Sequence, residues 1–195
     1  LQDDGGVYIR CQNPSCPAQL RETLKFFASR SAMDIEGLGI KQIESMVEKQ
    51  LLTSLPDVYR LHERREALLT EKRTNEKSVD KLLESIEKSK TQPLWRLLIG
   101  LNIRHVGNRT SQILASEFGI IDEILKKTEE ELAAVNDIGP VIAASIFRFF
   151  VSDIGRETLE EFRSLGLYIG EPVHEEDGSV DKKLDGKTLV VTGTL

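Results

Sequence analysis

Four short turns recur at near-constant spacing along this 195-residue chain. They are Gly37-Leu38-Gly39, Arg73-Thr74-Asn75, His105-Val106-Gly107 and Asp137-Ile138-Gly139, and their starts lie 36, 32 and 32 residues apart. Each follows an apolar stretch (Leu24 to Ile35, Leu61 to Leu69, Leu94 to Ile103, Glu131 to Val135) and precedes another with helical spacing. The unit is helix, tight turn, helix, used four times, and the body of the chain reads as mainly α.

The turns have a chemistry as well as a geometry. A chain that leaves one helix and enters the next within three or four residues needs a positive φ, which Gly adopts freely and Asn tolerates. Gly39, Asn75, Gly107 and Gly139 are the expected positions for it. The middle residues Leu38, Val106 and Ile138, with Thr74 in the second turn, read as staples dropped between two helices. After each turn the first N–H groups of the next helix have no intrahelical acceptor, and such helix starts bind anions, a phosphodiester being the obvious one.

Two positions after each turn stand Lys41, Lys77 and Arg109, with Val141 in the fourth unit. A cation in the first turn of a helix opposes the macrodipole, so three of them suggest a ligand charge that compensates. One copy would read equally well as a plain helix connection with solvated lysines; four copies favour phosphate contacts, which position a protein on a duplex without reading sequence. The candidate contact residues are Gly37, Gly39, Lys41, Arg73, Asn75, Lys77, Gly107, Arg109 and Gly139.

The net charge of -6 does not oppose this, because it is unevenly placed. Residues 1–110 hold 18 Lys and Arg against 15 Asp and Glu, whereas residues 111–195 hold 8 against 17. Affinity for phosphate depends on where cations sit, not on the total. No apolar run approaches the roughly 18 residues of a membrane span, so none is expected.

The ends differ from the body. Residues 1–22 contain both cysteines, Cys11 and Cys16, two prolines and Gly5-Gly6, and read as irregular or β-ribbon. Cys11-Gln-Asn-Pro-Ser-Cys16 suits half of a tetrahedral zinc site, and equally two ordinary thiols. Residues 171–183 read as an acidic linker, and 184–195 contain a β-branched run that reads as one strand. The start at Leu1 and the stop inside that strand are expected to be cuts within a longer protein. Glu129-Glu130-Glu131 after Thr128 reads as a capped first turn, Trp95 and Phe149-Phe150 read as helix-interface filler, and no catalytic set is visible.

Taken together, these segments make the chain resemble the C-terminal half of bacterial NAD-dependent DNA ligases. Cys16-Pro-Ala-Gln-Leu20, Asp34-Ile-Glu-Gly-Leu-Gly39, Leu101-Asn-Ile-Arg-His-Val-Gly107, Ile138-Gly139-Pro140 and Leu184-Asp-Gly-Lys-Thr-Leu-Val-Val-Thr-Gly-Thr-Leu195 carry the likeness. It implies a truncated four-cysteine zinc finger (1–22), four helix-hairpin-helix units packed as two pairs (23–170), the linker (171–183) and the first strand of a BRCT domain (184–195). It implies sequence-independent binding of nicked duplex DNA by a bacterial, cytoplasmic, nucleoid-associated and monomeric enzyme of DNA replication and repair. Structural Zn2+ would be held by Cys11 and Cys16 and two ligands outside the chain. The sites for NAD+ and for Mg2+ or Mn2+ would lie in other domains of the same ligase, so the fragment alone is expected to be inactive. A hairpin module of a repair nuclease or junction-binding protein, and a protein-interaction module, are the alternatives.

Overall fold

The computed structural model describes residues 17–70 and 75–171. The expected linker, the final strand, both cysteines and Arg73 therefore lie outside the described residues, apart from Glu171 at the linker's start. Within them the chain is helical: α1 (Pro17–Ala28), α2 (Ile40–Glu48), α3 (Arg65–Leu69), α4 (Glu76–Ser89), α5 (Leu94–Gly100), α6 (Asn108–Phe118), α7 (Ile121–Leu125), α8 (Glu129–Ala133), α9 (Pro140–Val151) and α10 (Asp153–Ser164).

Two boundaries differ from expectation. Residues 17–22, assigned from sequence to the irregular N-terminal segment, are the opening turns of α1. Pro17 suits a first helical position because its fixed φ matches the helix and its missing N–H is not needed there. Leu20, Leu24 and Phe27 then follow at helical spacing and reach the core. The stretch Leu61 to Leu69 is not one helix but a 3-10 turn, Leu61–Arg64, running into the short α3.

One continuous apolar core runs through the described helices from α1 to α10. α4 buries Val79, Leu82, Leu83 and Ile86, while α5 buries residues nearly all round and is enclosed. At the centre, Phe27 of α1 stacks on Phe162 of α10 with centroids 5.9 Å apart, and Tyr59 meets both edge-on at 6.1 and 5.9 Å. The Tyr59 hydroxyl, 3.1 Å from Ser89 Oγ, titrates well above its ordinary range because it is buried. α10 thus ties the last unit to the first.

Nearby, Asp57 is nearly buried, which works to raise its pKa. Hydrogen bonds from Thr53 Oγ1 at 2.6 Å and Thr53 N at 2.8 Å, with the Arg60 guanidinium, outweigh that and hold it below the usual carboxylate range. Trp95 is half-buried, with the Arg96 guanidinium 4.9 Å from its ring centroid. Arg96 also donates to Arg30 O and Ala32 O at 2.9 and 2.7 Å, pinning α5 to the loop after α1.

Candidate nucleic-acid interface

Three turns connect helix pairs within the described residues: hairpin 1 between α1 and α2, hairpin 3 between α5 and α6, and hairpin 4 between α8 and α9. Their middle residues Leu38, Val106 and Ile138 are buried, as expected of staples. In hairpins 3 and 4 the staple N–H donates back to the carbonyl three residues earlier, Val106 to Ile103 and Ile138 to Val135, both at 3.0 Å.

The expected source of the turn's positive φ is corrected by the structure. Gly39, Gly107 and Gly139 have φ of -82°, -102° and -79°, and Asn75 has -122°. The left-handed residue comes two positions earlier: Gly37 at 91°, His105 at 65° and Asp137 at 64°. The reversal is complete before the staple, and the last turn residue only has to be an extended N-cap. Any residue can do that, and Ser, Thr, Asn or Asp would do it better.

Space does not require these glycines either. A Cβ built on Gly107 or Gly139 meets nothing within 4 Å, and one on Gly39 meets only Gln42 Oε1 at 3.9 Å. The interior of the protein therefore gives no reason for glycine at these caps; an open approach to the helix start does. With no side chain to cap them, the N–H groups of the first two residues of α2 and α6 and of Val141 in α9 have no intrahelical acceptor, whereas Gln42 N–H and Ile142 N–H bond back to the Gly39 and Gly139 carbonyls at 3.0 Å. Gly39 N–H is an exception, donating to Gln42 Oε1 at 3.0 Å, and Pro140 supplies no N–H to hairpin 4.

Three other helix starts, those of α4, α8 and α10, are self-capped, whereas the short α3, α5 and α7 have no side-chain cap either. Asn75 Oδ1 accepts from Ser78 N at 2.9 Å. Thr128 and Glu131 form a reciprocal capping box, which also draws the Glu131 carboxyl below its usual range through the Thr128 N–H. Ser152 caps α10. Ser78 N–H thus has a side-chain acceptor, which the corresponding N–H groups of α2, α6 and α9 lack. Replacing Asn75 with Ala should cost about 1 kcal/mol of stability in thermal or urea unfolding, while affinity for a duplex stays unchanged.

The cations fall where their spacing placed them, each second in its helix and exposed: Lys41 on α2, Lys77 on α4 and Arg109 on α6. Lys41 and Lys77 make no ion pair among the described residues. Arg109 does, reaching Asp137 of hairpin 4 at 2.8 Å across an exposed gap. Part of the compensation sought from a ligand is thus internal, and the bond sets hairpins 3 and 4 side by side.

The two flanks differ in charge. Hairpin 1 lies against α4, with Glu36 N donating to Ser85 Oγ at 2.7 Å. The groove between them, about 830 Å3, mixes Arg30, Lys81 and Lys88 with Asp34, Glu36 and Glu84. Between hairpin 3 and α9 lies a smaller cleft of about 460 Å3, whose charged lining residues are Arg104 and Arg148. Sequence reasoning missed both arginines; the spacing of Arg148 seven residues after Val141 was the available signal. Among the described residues no group of three or more His, Cys, Asp or Glu is placed to hold a metal. No described helix is long and apolar enough to cross a membrane.

Comparison with known proteins agrees with this geometry. Residues 96–159, spanning hairpins 3 and 4, match the family described as "Helix-hairpin-helix motif". Proteins named DNA ligase align along nearly the entire chain: from Brevibacillus brevis, 42% identical over 189 residues, and from Syntrophomonas wolfei, 43% over 191. These alignments cover 97% and 98% of this chain. The chain is homologous to a segment of DNA ligases. A third such ligase, from Rhodopirellula baltica, is 37% identical over 209 residues and covers all of the chain. The segment spans 28% of the length of the first two ligases and 30% of the third. The ligase homology extends well beyond the motif match, into α1–α4 and both ends.

Proposed function

We propose that the chain clamps duplex DNA without reading its sequence, as the hairpin module of an NAD-dependent ligase that seals nicks in replication and repair. The observation that carries this is the set of glycine N-caps at hairpins 1, 3 and 4, which neither backbone angle nor internal packing requires. A phosphate oxygen can approach such a cap closely, and the outward N–H groups donate to it at the positive end of the helix dipole. Lys41 and Arg109 add charge beside the donors, and Lys77 does so beside the self-capped second unit. Homology with DNA ligases over the whole chain supports the enzyme context. A nuclease or junction-binding module would share the hairpins but not that homology, and a protein-interaction module would have no use for bare amides.

The same proposal includes a bacterial, cytoplasmic, monomeric parent whose other domains hold NAD+ and Mg2+ or Mn2+. Cys11 and Cys16 are its candidate zinc ligands, supported by their spacing alone. Charge reversal at Lys41 and Arg109 together should weaken binding to a nicked duplex and reduce the magnitude of the slope of log K against log salt by about 2, one unit for each phosphate that is no longer neutralised. An unchanged slope would remove those two side chains from the interface.

A further inference from the structure

The cleft beside hairpin 3 has three properties that the hairpins alone do not explain. Its far wall is one stripe of α9, formed by Val141, Ala144, Ser145 and Arg148 at positions i, i+3, i+4 and i+7, and it faces Arg104 and His105 of hairpin 3. No carboxylate lines it, and the nearest acid of hairpin 4, Asp137, is already bonded to Arg109. Arg148 is exposed and makes no ion pair with any described residue, while Val141 keeps 63% of its surface in solvent. An apolar floor that runs from the uncapped start of α9 to a cation in its last turn, with Arg104 facing it, matches a sugar-phosphate chain, whose charge lies on the phosphates and whose deoxyribose offers an apolar face.

We infer that this cleft seats a further sugar-phosphate unit of the duplex backbone, with Arg148 as a phosphate ligand, Arg104 beside it, and Val141 as the rest for the sugar. The inference rests on the hairpins being DNA-binding. Arg148, two turns along the stripe that begins at Val141, puts the charge in the last turn of α9 and not in its first. It also makes the flank of hairpins 3 and 4 a stronger anchor than the mixed-charge groove beside hairpin 1.

The test is a salt series of nicked-duplex binding by the 195-residue chain and its variants. Arg148→Gln should bind about 8-fold more weakly near 0.1 M salt and lower the slope magnitude by about 0.9, the value of one phosphate contact. Arg148→Lys should restore the slope. Val141→Glu, which places a carboxylate on the floor, should lose more than Arg148→Gln. Lys126→Gln removes the same charge just after α7, whose residue Leu125 packs beside Phe147 and Val151 on a different stripe of α9, and should change neither quantity. Equal effects from Arg148→Gln and Lys126→Gln, or none from Arg148→Gln, would overturn the cleft assignment. If Gly107→Ser and Gly139→Ser together abolish binding while Arg148→Gln does not weaken it, the hairpin reading stands and the cleft falls. If the unsubstituted chain retains no duplex, the hairpin reading falls first. Arg148 is exposed, so an unchanged melting curve shows that the variant is folded.

Discussion

Substituting Gly107→Ser and Gly139→Ser together should reduce affinity for nicked duplex by at least about 100-fold while leaving the fold slightly more stable. Both caps have extended backbone with negative φ, and a Cβ at either meets nothing, so serine enters without strain. Its hydroxyl then caps the helix, a gain over glycine of a few tenths of a kcal/mol at each end. The same hydroxyl takes the donors that faced outward and stands where a phosphate oxygen would approach. Losing hydrogen bonds to a charged group costs about 1.5–3 kcal/mol each, and two hairpins together give the factor stated. Thermal unfolding and anisotropy titration, run on the same sample, separate the two effects. Undiminished affinity would show that the glycines serve no ligand.

Phe162→Ala should be the most damaging single truncation for the fold, costing about 4 kcal/mol and lowering Tm by roughly 12 °C for a domain of this size. Phe162 is fully buried and stacks on Phe27, while Tyr59 meets its edge. These rings come from α10, α1 and the segment between α2 and α3, so the cavity would open where the last unit meets the first. Phe162→Leu, which keeps most of the volume, should recover more than half of the loss. A small and equal effect from both variants would mean that the surrounding helices close over the gap.

Much of this architecture is legible because helix-turn-helix repetition writes itself into spacing. The staples Leu38, Val106 and Ile138, the capping box at Thr128 and Glu131, and the placement of Lys41, Lys77 and Arg109 in first turns all follow from local periodicity and cap chemistry. The start of α1 is less legible, because two prolines and two cysteines suggest irregular chain although Pro17 opens a helix well. The role of the terminal glycines is hidden for a related reason. Sequence shows that a turn needs a left-handed residue, but His105 and Asp137 take that conformation in place of glycine, and only backbone angles reveal which position reverses the chain.

The sequence by itself determined the repeat, the helical class, the staples and the candidate anion contacts, because each depends on residues within one or two helical turns of each other. The tertiary structure decided which contacts remain open. The Asn75 side-chain oxygen accepts from Ser78, whereas Gly107 and Gly139 have no side chain to offer, and Arg109 is shared with Asp137, 28 residues away. It also set Arg104 and Arg148 across one cleft and placed acids in the groove beside hairpin 1. Those choices depend on how separate units pack, and packing brings together side chains that no local pattern relates.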